Sequence, residues 1–275
     1  MKNIILSLIT IFCITSSLFA QKKEKPIKYQ KTFYKSQTIE NADVKITIDD
    51  AVATPYGIKF KLSIINKSTD YIIFKPSQCV FKIKGQETKP EEKWLLIKPN
   101  DHDYRTIDLK GGQYMQPEDF TFVLDGLFKV SLDGKGNQVA DFKLPSAENE
   151  FKSGGFDVKL DKLKKETART DAKFVVNYSG DNIGIFLPNK VAMKMPDGKE
   201  YANYRSDNDP VIFDKGRIDD FTLAWKDIPI SSGDMQKTEM TILWRDAFKE
   251  IVPVKIPTLA LTILFDKELS YAKGR

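Results

Sequence analysis

The chain has little with which to perform chemistry. Among 275 residues it holds one histidine, His102, and two cysteines, Cys13 and Cys79. A Ser-His-Asp type of triad would have to be built around His102, and the His or Cys clusters that hold zinc or copper are missing. There is no P-loop, no G-x-G-x-x-G after a strand, no H-E-x-x-H and no C-x-x-C. Beyond residue 20 no apolar run is long enough to cross a bilayer, so no transmembrane segment is expected there. Charge is nearly balanced, with 43 Lys and Arg against 38 Asp and Glu, interspersed. That mild balance disfavours nucleic acid as a partner. No residue is assigned a catalytic role, and an enzyme is not the expected class.

What is present begins with residues 1–20, one early Lys2, a long apolar run and small residues up to Ala20. This layout predicts a secretory signal peptide and an exported protein, periplasmic or extracellular. Residues 21–41 then read as a basic leader, in which Lys22, Lys23, Lys25, Lys28, Lys31 and Lys35 face a single early Glu24. With Cys13 removed, Cys79 has no partner for an intrachain disulfide, so stability must come from core burial.

The rest reads as a repeat. Val44-Lys45-Ile46 recurs as Val158-Lys159-Leu160, and Lys59-Phe60 as Lys173-Phe174. Ile73-Phe74-Lys75-Pro76 returns as Ile185-Phe186-Leu187-Pro188, and Phe81-Lys82-Ile83 as Met193-Lys194-Met195. Asp119-Phe120-Thr121 matches Asp220-Phe221-Thr222, and Lys143-Leu144-Pro145 matches Lys255-Ile256-Pro257. The local pattern is that of strands: Ile58, Phe60, Leu62 and Ile64 alternate with polar residues, as do Ala172, Phe174, Val176 and Tyr178. Turn clusters such as 66–70, 133–137 and 196–198 separate short strands with no helical period. The expected fold is all-β, two tandem immunoglobulin-like sandwiches over 42–148 and 149–275 that arise from an internal duplication.

The order of these segments resembles the DUF4352-type, telokin-like immunoglobulin domains of exported bacterial proteins. It runs from a V-x-[IL] strand through a K-F-x-[LV] strand, an [IF]-x-P segment and a strand ending at glycine to a D-F-T strand. The likeness covers about Val44–Pro145 and Val158–Pro257. It implies a fold, a secreted location and non-enzymatic work, and it carries over no functional residue.

Three sets of residues remain as site candidates. Asp101, Asp103 and Asp108 share the spacing D-x-D-x4-D with Asp207, Asp209 and Asp214, and paired aspartates on a loop can supply oxygen ligands to calcium. The competing explanation is that Asp initiates turns by bonding its own backbone. Trp94, which has no counterpart in the repeat, and Tyr104 are candidates for a recognition surface. His102 aligns with Asn208 and reads as a loop residue, whereas Cys79 aligns with Val191 and Trp225 and Trp244 align with leucines, all core positions. The expected function is an exported binding or scaffold protein of the bacterial envelope, with a protein or glycan partner. The alternatives are a calcium- or carbohydrate-linked adhesion module and, less favoured, a carboxylate-based hydrolase.

Overall fold

The computed structural model describes residues 28–111, 116–133, 136–205 and 209–275. The expected signal peptide and the first part of the basic leader lie outside them. The described chain is predominantly β, with one short helix, Lys267–Lys273. No helix among the described residues is long and apolar enough to cross a membrane.

Two long antiparallel ladders form the frame. In the first, Thr32–Phe33 and Gln37–Glu40 both pair with Val44–Thr54, which pairs with Gly57–Asn66 and then His102–Lys110. Along Gly57–Asn66 every second side chain is buried, so Ile58, Phe60, Leu62 and Ile64 point inward and Lys59 and Lys61 outward. The second ladder runs Glu150–Ser153, Phe156–Glu166, Arg169–Tyr178, Ile218–Lys226, with Ala172, Phe174, Val176 and Tyr178 inward. Each ladder packs against a smaller sheet. Phe60 meets Phe81 and Phe122 at ring distances of 5.7 and 5.2 Å, and Phe174 meets Trp244 at 5.3 Å. Trp225 and Trp244 are core residues, as expected from the sequence.

The two halves use matching bonds. Asn66 donates its side-chain amide to the Asp70 carbonyl, and 112 positions on the Tyr178 hydroxyl donates to the Asn182 carbonyl. Lys67 N–H bonds Asp43 O where Ser179 N–H bonds Gly155 O. Pro76–Gln78 and Pro188–Lys190 are the same 3-10 turn, and Cys79 and Val191 follow it as buried equivalents. The sequence matches at Val44/Val158 and Lys59/Lys173 are therefore two residues out of step, which keeps the same face inward because strand side chains repeat every two residues.

Two other matches are corrected by the strand pairing. Asp119–Leu124 pairs with Val80–Ile83, whereas Asp220-Phe221-Thr222 lies in a strand that pairs with Arg169–Tyr178, a different sheet. Lys143 sits in a strand paired with Met240–Leu243, while Lys255 is in one paired with Leu127–Val130. The structural counterpart of Phe142–Leu144 is the last strand, Leu259–Leu264. Phe142 pairs with Ile242 of the second half, and Leu261 pairs with Phe122 of the first.

That last strand crosses the boundary expected at 148/149. After the second half is complete, the chain returns to the first and adds Leu259–Leu264 beside Asp119–Leu124, burying Leu261 and Ile263 in the first core. The closing helix is capped by Asp266, whose carboxylate accepts from Leu269 N–H at 2.9 Å. Buried Ser270 accepts from Phe33 N–H at 2.8 Å, and Gly274 O accepts from Gln30 and Lys31 N–H. A Cβ at Gly274 would stand 2.1 Å from Lys31 O, so this close approach of the two ends needs glycine.

A third apolar cluster joins the halves. Tyr71, Ile73 and Val130 meet Ile183, Ile185, Leu187 and Ile212, with Trp94, Leu96, Leu132 and Ile251 packed on the rim. Tyr71 and Ile183, and Ile73 and Ile185, are equivalents 112 positions apart, so the joint is close to self-complementary.

Two outcomes follow from this packing. Ile263→Ala, which hollows the first core from the far end of the chain, lowers unfolding free energy by about 2–5 kcal/mol in a denaturant titration. The Cys79 thiol is buried, and desolvation pushes its pKa up to about 11 despite backbone hydrogen bonds from Gly126 and Asp125. At pH 8 it stays a protonated thiol, so a colorimetric thiol reagent leaves it unmodified in the folded protein and modifies it fully in denaturant.

Candidate functional site

The joint between the halves opens on one side into a cleft of about 960 Å³. Ligand sites favour such junctions, and this volume lies in their usual range. Three strand edges bound it: Trp94 with Leu95–Ile97, Val211–Phe213, and the 220–222 portion of Ile218–Lys226. Leu95–Ile97 is placed by its ladder with Tyr71–Phe74, and Val211–Phe213 by its ladder with Ile183–Phe186. Both partner strands belong to the joint, so the walls are set by the packing that fixes the two halves.

Trp94 is half-buried on this wall. The Arg217 guanidinium lies 5.1 Å from its ring centroid, a cation–π distance. Arg217 is held from behind: Nη1 donates to Ile212 O at 2.8 Å and Nη2 to the Asp219 carboxylate. Arg105 Nη2 donates to Trp94 O at 3.2 Å, fixing the tryptophan backbone as well. The aromatic face is thus positioned by one arginine from each half.

Ion pairs tie the rims together. Lys98 Nζ meets Asp209 at 2.7 Å, and Lys75 Nζ meets Asp214 at 2.7 Å, both across the junction. The Asp209 hydrogen bond, and then its charge, raise the Lys98 pKa. Burial, and then the Asp209 charge, raise that of Tyr71. Lys249, almost fully buried, donates to Leu132 O at 2.7 Å and fastens the second half to the segment leaving the first.

The aspartates singled out in the sequence do not come together. Asp101 and Asp103 flank the start of the open edge strand His102–Lys110, and each carboxylate accepts the N–H of the next residue, at 2.7 Å in both cases. Asp108 N–H donates to Glu92 Oε1 on the same edge, and its carboxylate points to Lys59. Asp103 and Asp108 are five residues apart on an extended strand and so face opposite sides. Asp209 and Asp214 are taken by Lys98 and Lys75, and Asp207 lies outside the described residues. Among the described residues no group of three or more His, Cys, Asp or Glu is placed to hold a metal ion. The two aspartate triplets are also not equivalent: Asn66 N–H bonds Asp101 O where Tyr178 N–H bonds Arg217 O. His102, exposed, therefore corresponds to Ile218 rather than to Asn208.

Tyr104 is 57% exposed, with Lys61 Nζ 4.5 Å from its ring, and does not line the cleft. Arg217 and the 220–222 edge were missed in the sequence because Asp220–Thr222 was matched to Asp119–Thr121. The signal that finds them is the alternation of Ile107 and Leu109 against Leu223 and Trp225, 116 positions on. Comparison with protein-family models and with curated proteins finds no match to this chain.

Proposed function

We propose that the chain is an exported, non-enzymatic binding or scaffold protein of the bacterial envelope that takes its partner in the cleft between its halves. In this reading the halves are immunoglobulin-like sandwiches of the DUF4352 type that arose by internal duplication. The 112-position agreement between their turns and ladders supports that origin. Export rests on the signal-peptide layout of residues 1–20. The non-enzymatic class rests on the sparse inventory of nucleophiles and bases in the sequence.

The observation that carries the reading is Trp94, half-buried under Arg217 in a cleft whose walls come from both halves. Tryptophan and arginine are the side chains most often responsible for binding energy at interfaces. A cleft built on rigid strands presents them without an ordering cost at the moment of binding.

The test is crosslinking of the tagged protein in its native cells, followed by recovery and mass spectrometry. A reproducible partner is expected with the wild type, lost with Trp94→Ala and retained with Trp94→Phe, while all three melt cooperatively. A partner recovered equally with Trp94→Ala would remove the cleft from the reading.

A further inference from the structure

The open edge of Ile218–Lys226 has a specific gap in its hydrogen bonding. Asp220 N–H is capped by the Asp219 carboxylate at 2.9 Å, and Ala224 N–H by Asn203 Oδ1 at 3.0 Å. Ala224 O is taken by Tyr204 N–H at 2.7 Å. Backbone groups alternate sides along a strand, so the N–H and C=O of Thr222 share the outward side with those of residues 220 and 224. Neither has a partner among the described residues, and Thr222 faces the cleft. The first half repeats the two caps, Asp103 on Tyr104 N–H and Glu92 on Asp108 N–H, and leaves Thr106 between them exposed to water. Of the two gaps, that at Thr222 opens into the cleft.

The charge around this gap has one sign to spare. Of the carboxylates on the cleft wall, Asp209 is paired with Lys98 at 2.7 Å and Asp220 with Lys173 at 2.9 Å. Lys93, beside Trp94 at the mouth, is exposed and forms no ion pair with another described residue. The Arg217 charge on the wall is already met by Asp219, so Lys93 is the cation left for a ligand.

We infer that the cleft binds an extended acidic peptide segment of a partner protein, which adds to the strand edge at Thr222 and lays an acidic side chain toward Lys93. This rests on the cleft being the binding site, as proposed above. Backbone pairing to Thr222 supplies the register, and the alternate side chains of the peptide fall against Trp94 and into the wall. The free edge is short, bounded by the caps at 220 and 224, so the paired segment is only a few residues long.

The experiment uses the chain without residues 1–20 and a library of terminally blocked hexapeptides that alternate glutamate with apolar residues. Binding is read by calorimetry and by the amide signal of Thr222. Thr222→Pro removes the outward donor without touching the ladder to Arg169–Tyr178, since proline is tolerated on an edge strand whose N–H faces solvent. The expected result is a saturable binder whose affinity falls about tenfold or more with Thr222→Pro. Lys93→Glu, an exposed change that leaves the backbone alone, weakens the same peptide, and lysine-containing analogues bind less well. The inference is overturned if no library member binds, or if binders are indifferent to Lys93→Glu and to a Thr222→Pro protein with wild-type melting. Polygalacturonate binding with the peptides inert also overturns it, because the acid would then belong to a glycan. Loss of the cellular partner with Trp94→Ala alongside any of these results would leave the cleft in place and remove only the peptide.

Discussion

Six consecutive residue pairs between Asp119–Leu124 and Leu259–Leu264 hold the architecture together. Without them the first half lacks the strand that carries Leu261 and Ile263 into its core, and the inner edge of Asp119–Leu124 faces water. The second half has its equivalent strand, Phe142–Leu144, on the amino-terminal side of its own sequence. In the first half that place is filled from the other end of the chain. The helix Lys267–Lys273 and the bonds from Gly274 to Gln30 and Lys31 then lock the closure. The two halves are consequently not beads on a string, because the chain passes between them twice.

This double passage explains why the cleft has a fixed shape. The apolar joint of Tyr71, Ile73, Ile183 and Ile185 sits between two connections, and the pairs Lys75–Asp214 and Lys98–Asp209 brace its rim. Ion pairs that stay partly in water, as these do, contribute little to stability on their own. Their part here is orientation, since they hold loops of the second half against strands of the first. Trp94 is then aimed by Arg105 from its own half and by Arg217 from the other.

Much of the strand content was legible from alternation alone, because burial of every second residue is a local property of a two-faced sheet. Partner choice was not. A shift of two residues leaves the inward set unchanged, so Val44 could be matched to Val158 and Lys59 to Lys173 without any conflict of pattern. The tripeptide Asp-Phe-Thr matched two strands that lie in different sheets, since three residues carry no record of which neighbour they pair with. The pairing of Leu259–Leu264 with a strand more than a hundred residues earlier leaves no local mark at all. For the candidate site, Trp94 was visible as a tryptophan without a repeat partner, but its arginine clamp and the gap at Thr222 depend on long-range placement. Asp101 and Asp103 looked like ligands because aspartate spacing is common to cation loops and to strand edges whose N–H groups need acceptors.

The closure at the C-terminus also sets an order of events during synthesis. A chain delivered amino-terminus first has every strand of its second half once residue 251 has emerged, but the first half must wait for residue 264. Until then it lacks Leu259–Leu264, and before that also Val254–Lys255 beside Leu127–Val130, with a row of unpaired backbone groups beside Phe120 and Phe122. The half made earliest is therefore the last to finish. Contacts between such distant segments form slowly, and exposed edges of this kind are where association between chains begins. The interval between the first half's appearance and the arrival of its final strand is the period in which this protein most needs shielding from copies of itself.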